Sequence, residues 1–205
     1  RRSILALGHI IDGNGLRPNP MKVQEVVQWE IPRNIKQLQS FLGLLNYFRN
    51  FIPNFATLAR PLDKIRNDRT FDFSCLNEEH YSAIRKLKEA LVSKMVLSFP
   101  DDQHPFHIAT DASNTGIGAM LFQDIGEKRK FIGFASRALR EHENNYCVAK
   151  KEILAVIFGL KYFYQYLRGR KFILYTDNKA LTYLFEESNQ SLVLNGWMDT
   201  LFLLK

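Results

Sequence analysis

Three carboxylates have the residue type and the spacing to do chemistry together. Asp111 closes the run FHIATD (106–111), and Asp177 closes FILYTD (172–177), 66 residues later. Both runs alternate as strands do and finish in Thr-Asp, so the two acids stand on the same parity of the pleat. Glu152 lies between them in a stretch of helical periodicity, about 80° from the centre of that helix's apolar stripe. If the two strands are neighbours and the helix packs across them, the three acids converge. Such a cluster repels itself at neutral pH unless cations neutralise it. Oxygen ligands without Cys or His suit Mg²⁺ or Mn²⁺. Two such ions about 4 Å apart activate a water and stabilise a leaving oxygen in phosphodiester cleavage. Each acid also admits a plainer role. Asp177 could N-cap a following helix, and Glu152 could be an ordinary solvated helix residue. Asp111 could serve turn chemistry with Ser113 and Asn114, although Asp is depleted in strands.

The elements that must position these acids are legible from residue 106 onward. FHIATD is followed by GIGAMLFQ (116–123), a turn at Gly126-Glu127, and KFIGFASR (130–137), which suggests an antiparallel meander. A long amphipathic helix then runs from Tyr146 to about Leu167, with Ala149, Ile153, Val156, Ile157, Leu160 and Tyr164 in its stripe and Gly169 as its stop. FILYTD is the fourth strand, and helices follow over 178–186 and 192–204. Pro100-Asp101-Asp102 and Pro105 are linker chemistry, and a domain boundary is placed there.

Upstream the pattern is mostly helical. Residues 3–11 read as a strand, and Asp12-Gly13-Asn14-Gly15 as the turn of a hairpin. Asn19-Pro20 opens a short helix that Ile31-Pro32 ends. Asn34 and Gln37 form a capping box for a clearer helix, whose stripe is Leu38, Phe41, Leu42, Leu45, Phe48 and Ile52 and which Pro53 closes. Gln39, Gly43 and Tyr47 recur every four residues on its opposite face. A mid-helix glycine costs roughly 1 kcal/mol relative to Ala, so Gly43 marks tight helix packing or a polar partner approaching closely. Residues 61–76 read as a connecting segment. Asn77 caps a further helix to about Val92, with Tyr81, Ile84, Leu87 and Leu91 in its stripe.

The 205 residues are 46% hydrophobic and 24% charged, a globular composition with room for one large or two small domains. No uninterrupted apolar run approaches the ~18 residues of a transmembrane helix, and no membrane partner is expected. RRSILALGH is too short for a secretory signal, and with no initiator Met the chain reads as a piece of a longer polypeptide. The net charge is +7, and residues 1–70 carry 11 Lys/Arg against 5 Asp/Glu. A basic surface suits a polyanion such as nucleic acid, although charge alone fits any basic soluble domain equally well. Cys75 and Cys147 fit no metal spacing and suit a reducing compartment.

Several stretches, in order and over almost the whole chain, resemble the Pol polyprotein of gypsy-type LTR retrotransposons. They are FLGLLNYFRNFIPNFATLARPL, TDASNTGIGAMLFQ, FASRAL, ENNY, KKEILAVIFGLKYFYQYLRGRKF and TDNKAL. The resemblance implies a mixed α+β chain: a helical reverse-transcriptase thumb and connection, then a ribonuclease-H-like domain with a mixed five-stranded sheet whose last strand and helix fall outside this sequence. It implies residues 1–20 as the end of the palm with a primer-grip-like hairpin, 21–100 as thumb and connection, and 101–205 as the ribonuclease H part. Asp111, Glu152 and Asp177 match the first three acids of that family's metal site, which would hold two Mg²⁺ (or Mn²⁺) ions and cut the RNA strand of an RNA–DNA hybrid. Gln39, Gly43 and Tyr47 match positions facing the minor groove of template–primer, and Leu7, Gly8 and His9 match the hairpin that grips the primer end. The remainder of the Pol polyprotein is an implied partner, and an intracellular setting is implied.

The departures are the polymerase fingers and most of the palm, a fourth acid expected beyond Lys205, Asn178 where many relatives have His, and Phe73 where many have Trp. Two rival readings stay open: a non-catalytic nucleic-acid-binding remnant of such an element, and another ribonuclease-H-like protein such as an integrase or transposase.

Overall fold

The protein is described here from a computed structural model covering residues 3–93 and 96–176. The chain divides between Phe99 and Pro100 into two compact units.

The first unit opens with a three-stranded antiparallel sheet, β1 (Ile4–Ala6), β2 (His9–Asp12) and β3 (Gly15–Pro18). The single strand expected over 3–11 is split in two. Leu7 and Gly8 both adopt positive φ, 46° and 70°, which is the geometry of a two-residue hairpin turn between Ala6 and its partner His9. A second two-residue turn joins Asp12 to Gly15. There the backbone returns against Leu97, and a Cβ on Gly15 would lie 2.1 Å from the Leu97 carbonyl oxygen, so only glycine fits.

Four helices follow: α1 (Pro20–Gln28), α2 (Ile35–Tyr47), α3 (Phe55–Ile65) and α4 (Glu78–Val92). Asn19 caps α1 through Met21 N. Asn34 caps α2 through Gln37 N, while Gln37 reaches back to Arg33 N, one residue earlier than a standard box. The α2 stripe is buried as expected at Leu38, Phe41, Leu42 and Leu45, and a 3₁₀ turn over Arg49–Phe51 replaces its last turn. The connecting segment expected over 61–76 begins later, because α3 runs through Pro61 to Ile65. In α4, Ile84, Leu87 and Leu91 are buried, but Tyr81 is exposed.

Among the described residues the second unit holds a four-stranded mixed sheet in the order β6-β5-β4-β7. Its strands are β4 (Phe106–Ala112), β5 (Gly116–Ile125), β6 (Lys128–Ala138) and β7 (Phe172–Tyr175). β4, β5 and β6 form the antiparallel meander, and β7 lies parallel to β4. The long helix breaks at Phe163 into α5 (Val148–Tyr162) and α6 (Tyr164–Leu167). α5 packs across β4 and β5, burying Val156 and Leu160 against Ile108, Ala119 and Leu121. The helices expected over 178–186 and 192–204 lie outside the described residues. Among the described residues no helix is long and apolar enough to cross a membrane.

Candidate functional site

The end of β4 is where the site begins. α5 runs antiparallel to β4: its C-terminal part packs on Phe106 and Ile108, and its N-terminal half, at Leu154 and Ala155, packs with Ala112. Glu152 therefore sits at the same end of the sheet as Asp111. The two acids share an end of the strand but not a face. Thr110 and Ala112 lie on the α5 side, so pleat alternation turns Asp111 to the other side, where it is exposed. Glu152 is only 4% exposed, which corrects the expectation of a residue at the edge of the helix's buried face.

Asp177 lies outside the described residues. The strand that leads to it does not: β7 pairs directly with β4, Tyr175 level with Ala109. Each acid follows its level residue by two positions in the sequence. The pairing is fixed on the face away from α5, where His107 Nδ1 and Tyr175 Oη lie 3.1 Å apart and their rings stack.

Beside this end of the sheet is a charged pair that sequence reasoning did not assign. Arg137, near the end of β6, donates from both terminal nitrogens to Glu143 at 2.6 and 2.9 Å. Glu143 is 4% exposed and also accepts from Arg140 N at 2.7 Å. The Arg137 guanidinium lies over the Phe158 ring of α5. The pair thus joins the end of β6, the 3₁₀ turn over Glu141–Asn145 and α5. Arg137, more than any other group, holds the Glu143 carboxyl below the usual carboxylate range. The signal lay in FASRAL and ENNY, where an Arg at a strand end precedes a Glu by six residues.

In the first unit, Gln39, Gly43 and Tyr47 are exposed along α2. A Cβ on Gly43 would meet no atom within 4 Å, so tight helix packing does not account for this glycine among the described residues. Gln39 donates to Arg66 O at 2.9 Å, and the Tyr47 hydroxyl donates to Leu7 O. His9 is half-buried, stacked on Phe51 and edge-on to Phe48.

Among the described residues no group of three His, Cys, Asp or Glu stands together to hold a metal. The carboxylates of Asp111 and Glu152 are nevertheless hard oxygen donors of the kind Mg²⁺ or Mn²⁺ takes. Cys75 and Cys147 are exposed free thiols.

A mixed sheet of three antiparallel strands and one parallel strand, crossed by a helix that brings an acid to the end of the first strand, defines a ribonuclease-H-like domain. Residues 101–202 match the RNase H-like domain found in reverse transcriptase, and through them the chain belongs to that family. It corresponds to the reverse-transcriptase/ribonuclease H region of gypsy-type Pol polyproteins. The chain is 38% identical over 191 residues, 93% of its length, to the retrovirus-related Pol polyprotein from transposon 297 of Drosophila melanogaster. It is 35% identical over 201 residues, again 93% of its length, to that from transposon opus of the same organism. The chain spans 18% and 20% of the lengths of these two relatives. In fold it is similar to a foamy viral protease-reverse transcriptase dRH in complex with dsDNA, with TM-score 0.81 and 22% identity, covering 98% of this chain and 36% of that one. It is also similar to a foamy viral protease-reverse transcriptase in complex with an RNA/DNA hybrid, with TM-score 0.72 and 22% identity, covering 98% and 28%.

Proposed function

We propose that this chain is part of an RNA-directed DNA polymerase with ribonuclease H activity. In this reading residues 101–205 hydrolyse the RNA strand of RNA–DNA hybrids. Residues 21–100 are the thumb and connection that hold template–primer, and residues 1–20 end the palm. The observation that carries the reading is the parallel pairing of β7 with β4. It sets two strands that each lead to an Asp side by side, at the end of the sheet where α5 delivers Glu152.

Asp111, Glu152 and Asp177 would hold two Mg²⁺ or Mn²⁺ ions, which when bound supply a nucleophilic water and stabilise the leaving 3′-oxygen. The protein's own contribution is positional. Burial of Glu152 on a packed helix and anchoring of Asp111 on a paired strand fix the carboxylates before substrate arrives. The exposed side of the strand end leaves Asp111 open to a phosphodiester. Gln39, Gly43 and Tyr47 would face the minor groove of the duplex, with Gly43 permitting close approach, and Leu7, Gly8 and His9 would meet the primer end. The polyanionic substrate matches the excess of Lys and Arg in residues 1–70.

The test is hybrid cleavage by the full-length enzyme with Mg²⁺. Asp111→Asn and Glu152→Gln should each lower the rate at least a hundredfold while the protein stays folded by circular dichroism. Wild-type cleavage that neither substitution alters would refute the assignment. A full-length protein that binds hybrid and cuts nothing would favour the non-catalytic remnant.

A further inference from the structure

We infer that Tyr47 is a positioning residue, whose hydroxyl braces the β1–β2 hairpin against α2 and thereby sets the height of the hairpin tip. The inference rests on the proposed thumb and primer-end reading and deepens it. The hairpin tip is a demanding piece of backbone. Leu7 and Gly8 are both in the left-handed region, and the Leu7 side chain is 88% exposed, so the tip has little packing of its own to hold it. Asn19 N–H donates to the Gly8 carbonyl at 3.0 Å, and the side-chain support comes from forty residues away. The Leu7 carbonyl accepts from the Tyr47 hydroxyl and lies 2.8 Å from His9 Nδ1, while Tyr47 Oη and His9 Nδ1 are 3.1 Å apart.

The carbonyl can only accept, so the Tyr47 hydroxyl donates to it, and the Nδ1–H tautomer of His9 would add a second donor. The ring faces complete the seat. His9 packs against Tyr47, Phe48 and Phe51 with centroids at 5.0, 5.6 and 5.4 Å. A Cβ on Gly8 would lie 3.4 Å from the Tyr47 ring. Phe48 and Phe51 are buried in the core of the first unit, so the seat does not drift.

The consequence is a division of labour within one side chain. The Tyr47 ring, half exposed, is available to a duplex lying along α2, but its hydroxyl is committed inside the protein. A shift of α2 is then transmitted to the hairpin tip through one carbonyl, which couples the grip on the duplex to the placement of the primer end.

Tyr47→Phe in the full-length enzyme isolates the hydroxyl and leaves the ring. Hydrogen exchange of the peptide covering residues 4–12, measured without nucleic acid, should accelerate about fivefold, the loss of one net hydrogen bond. At saturating template–primer, kcat for nucleotide addition should fall by a similar factor, with the duplex Kd within twofold of wild type. Unchanged exchange over 4–12 overturns the brace. A weakened Kd with unchanged exchange would assign the hydroxyl to the duplex instead. If wild-type enzyme neither binds duplex nor extends a primer, the thumb reading fails, and the exchange measurement still decides the brace by itself.

Discussion

Glu143 shows how much of this fold rests on single charged groups. Its carboxyl titrates lower in the folded protein than in the unfolded chain, chiefly because Arg137 is beside it. The pair therefore contributes its full stability above the ordinary carboxylate range and loses it as pH falls through the lowered folded value. Glu143→Gln should flatten the acid limb of the stability–pH curve, read as the thermal midpoint between pH 7 and pH 3. Arg137→Ala, which strands a buried carboxylate, should cost about 3 kcal/mol at neutral pH. A curve that keeps its acid limb in Glu143→Gln would show that other groups govern it. At this scale the sequence spoke unevenly. Asp111 and Asp177 could be singled out by the Thr-Asp that recurs 66 residues apart behind a strand-like run. The burial of Glu152 could not be read, because a helical wheel measures direction on an isolated helix, whereas burial depends on what the fold lays over it. Glu143 was hidden for the same reason: an acid in a polar stretch looks solvated until its arginine is placed.

Elements with a regular stripe were legible, and those whose signals conflict were not. α2, α4 and the β4–β6 meander follow from periodicity and caps. α3 was obscured by Pro61, which argues against a helix interior yet is accommodated there. The first strand was overextended because Leu7, a residue that rarely takes positive φ, holds half of the turn. The α5–sheet contact depends on one glycine. A Cβ on Gly159 would lie 2.8 Å from Ala119 Cβ and 3.1 Å from Ile108 Cδ1. Replacing a mid-helix Gly by Ala ordinarily gains up to about 1 kcal/mol, but overpacking of this kind costs about 1–3 kcal/mol. Gly159→Ala should therefore destabilise, lowering the midpoint of urea unfolding without changing its slope. A higher midpoint would mean that the sheet yields to the extra methyl without cost.

For the whole molecule, charge makes a prediction that geometry does not. With 11 Lys/Arg against 5 Asp/Glu in residues 1–70, the proposed binding to hybrid should be dominated by counterion release. If four phosphates are contacted, affinity should fall about a hundredfold between 50 and 200 mM KCl, a loss that fluorescence anisotropy at several salt concentrations would measure. Salt-independent binding would move recognition away from the basic surface.

The parallel pairing of β7 with β4 also dictates an order of events in folding. β4, β5 and β6 close through short turns, whereas β7 reaches β4 only after a connection of some sixty residues that includes α5. Local contacts form early, and long loop closures wait. Pulse-labelled exchange during refolding should find β5 and β6 protected before β7. The strand that leads to the second aspartate is thus the last to be captured, and a nascent or partly folded chain cannot assemble the proposed metal site ahead of the sheet that would aim it.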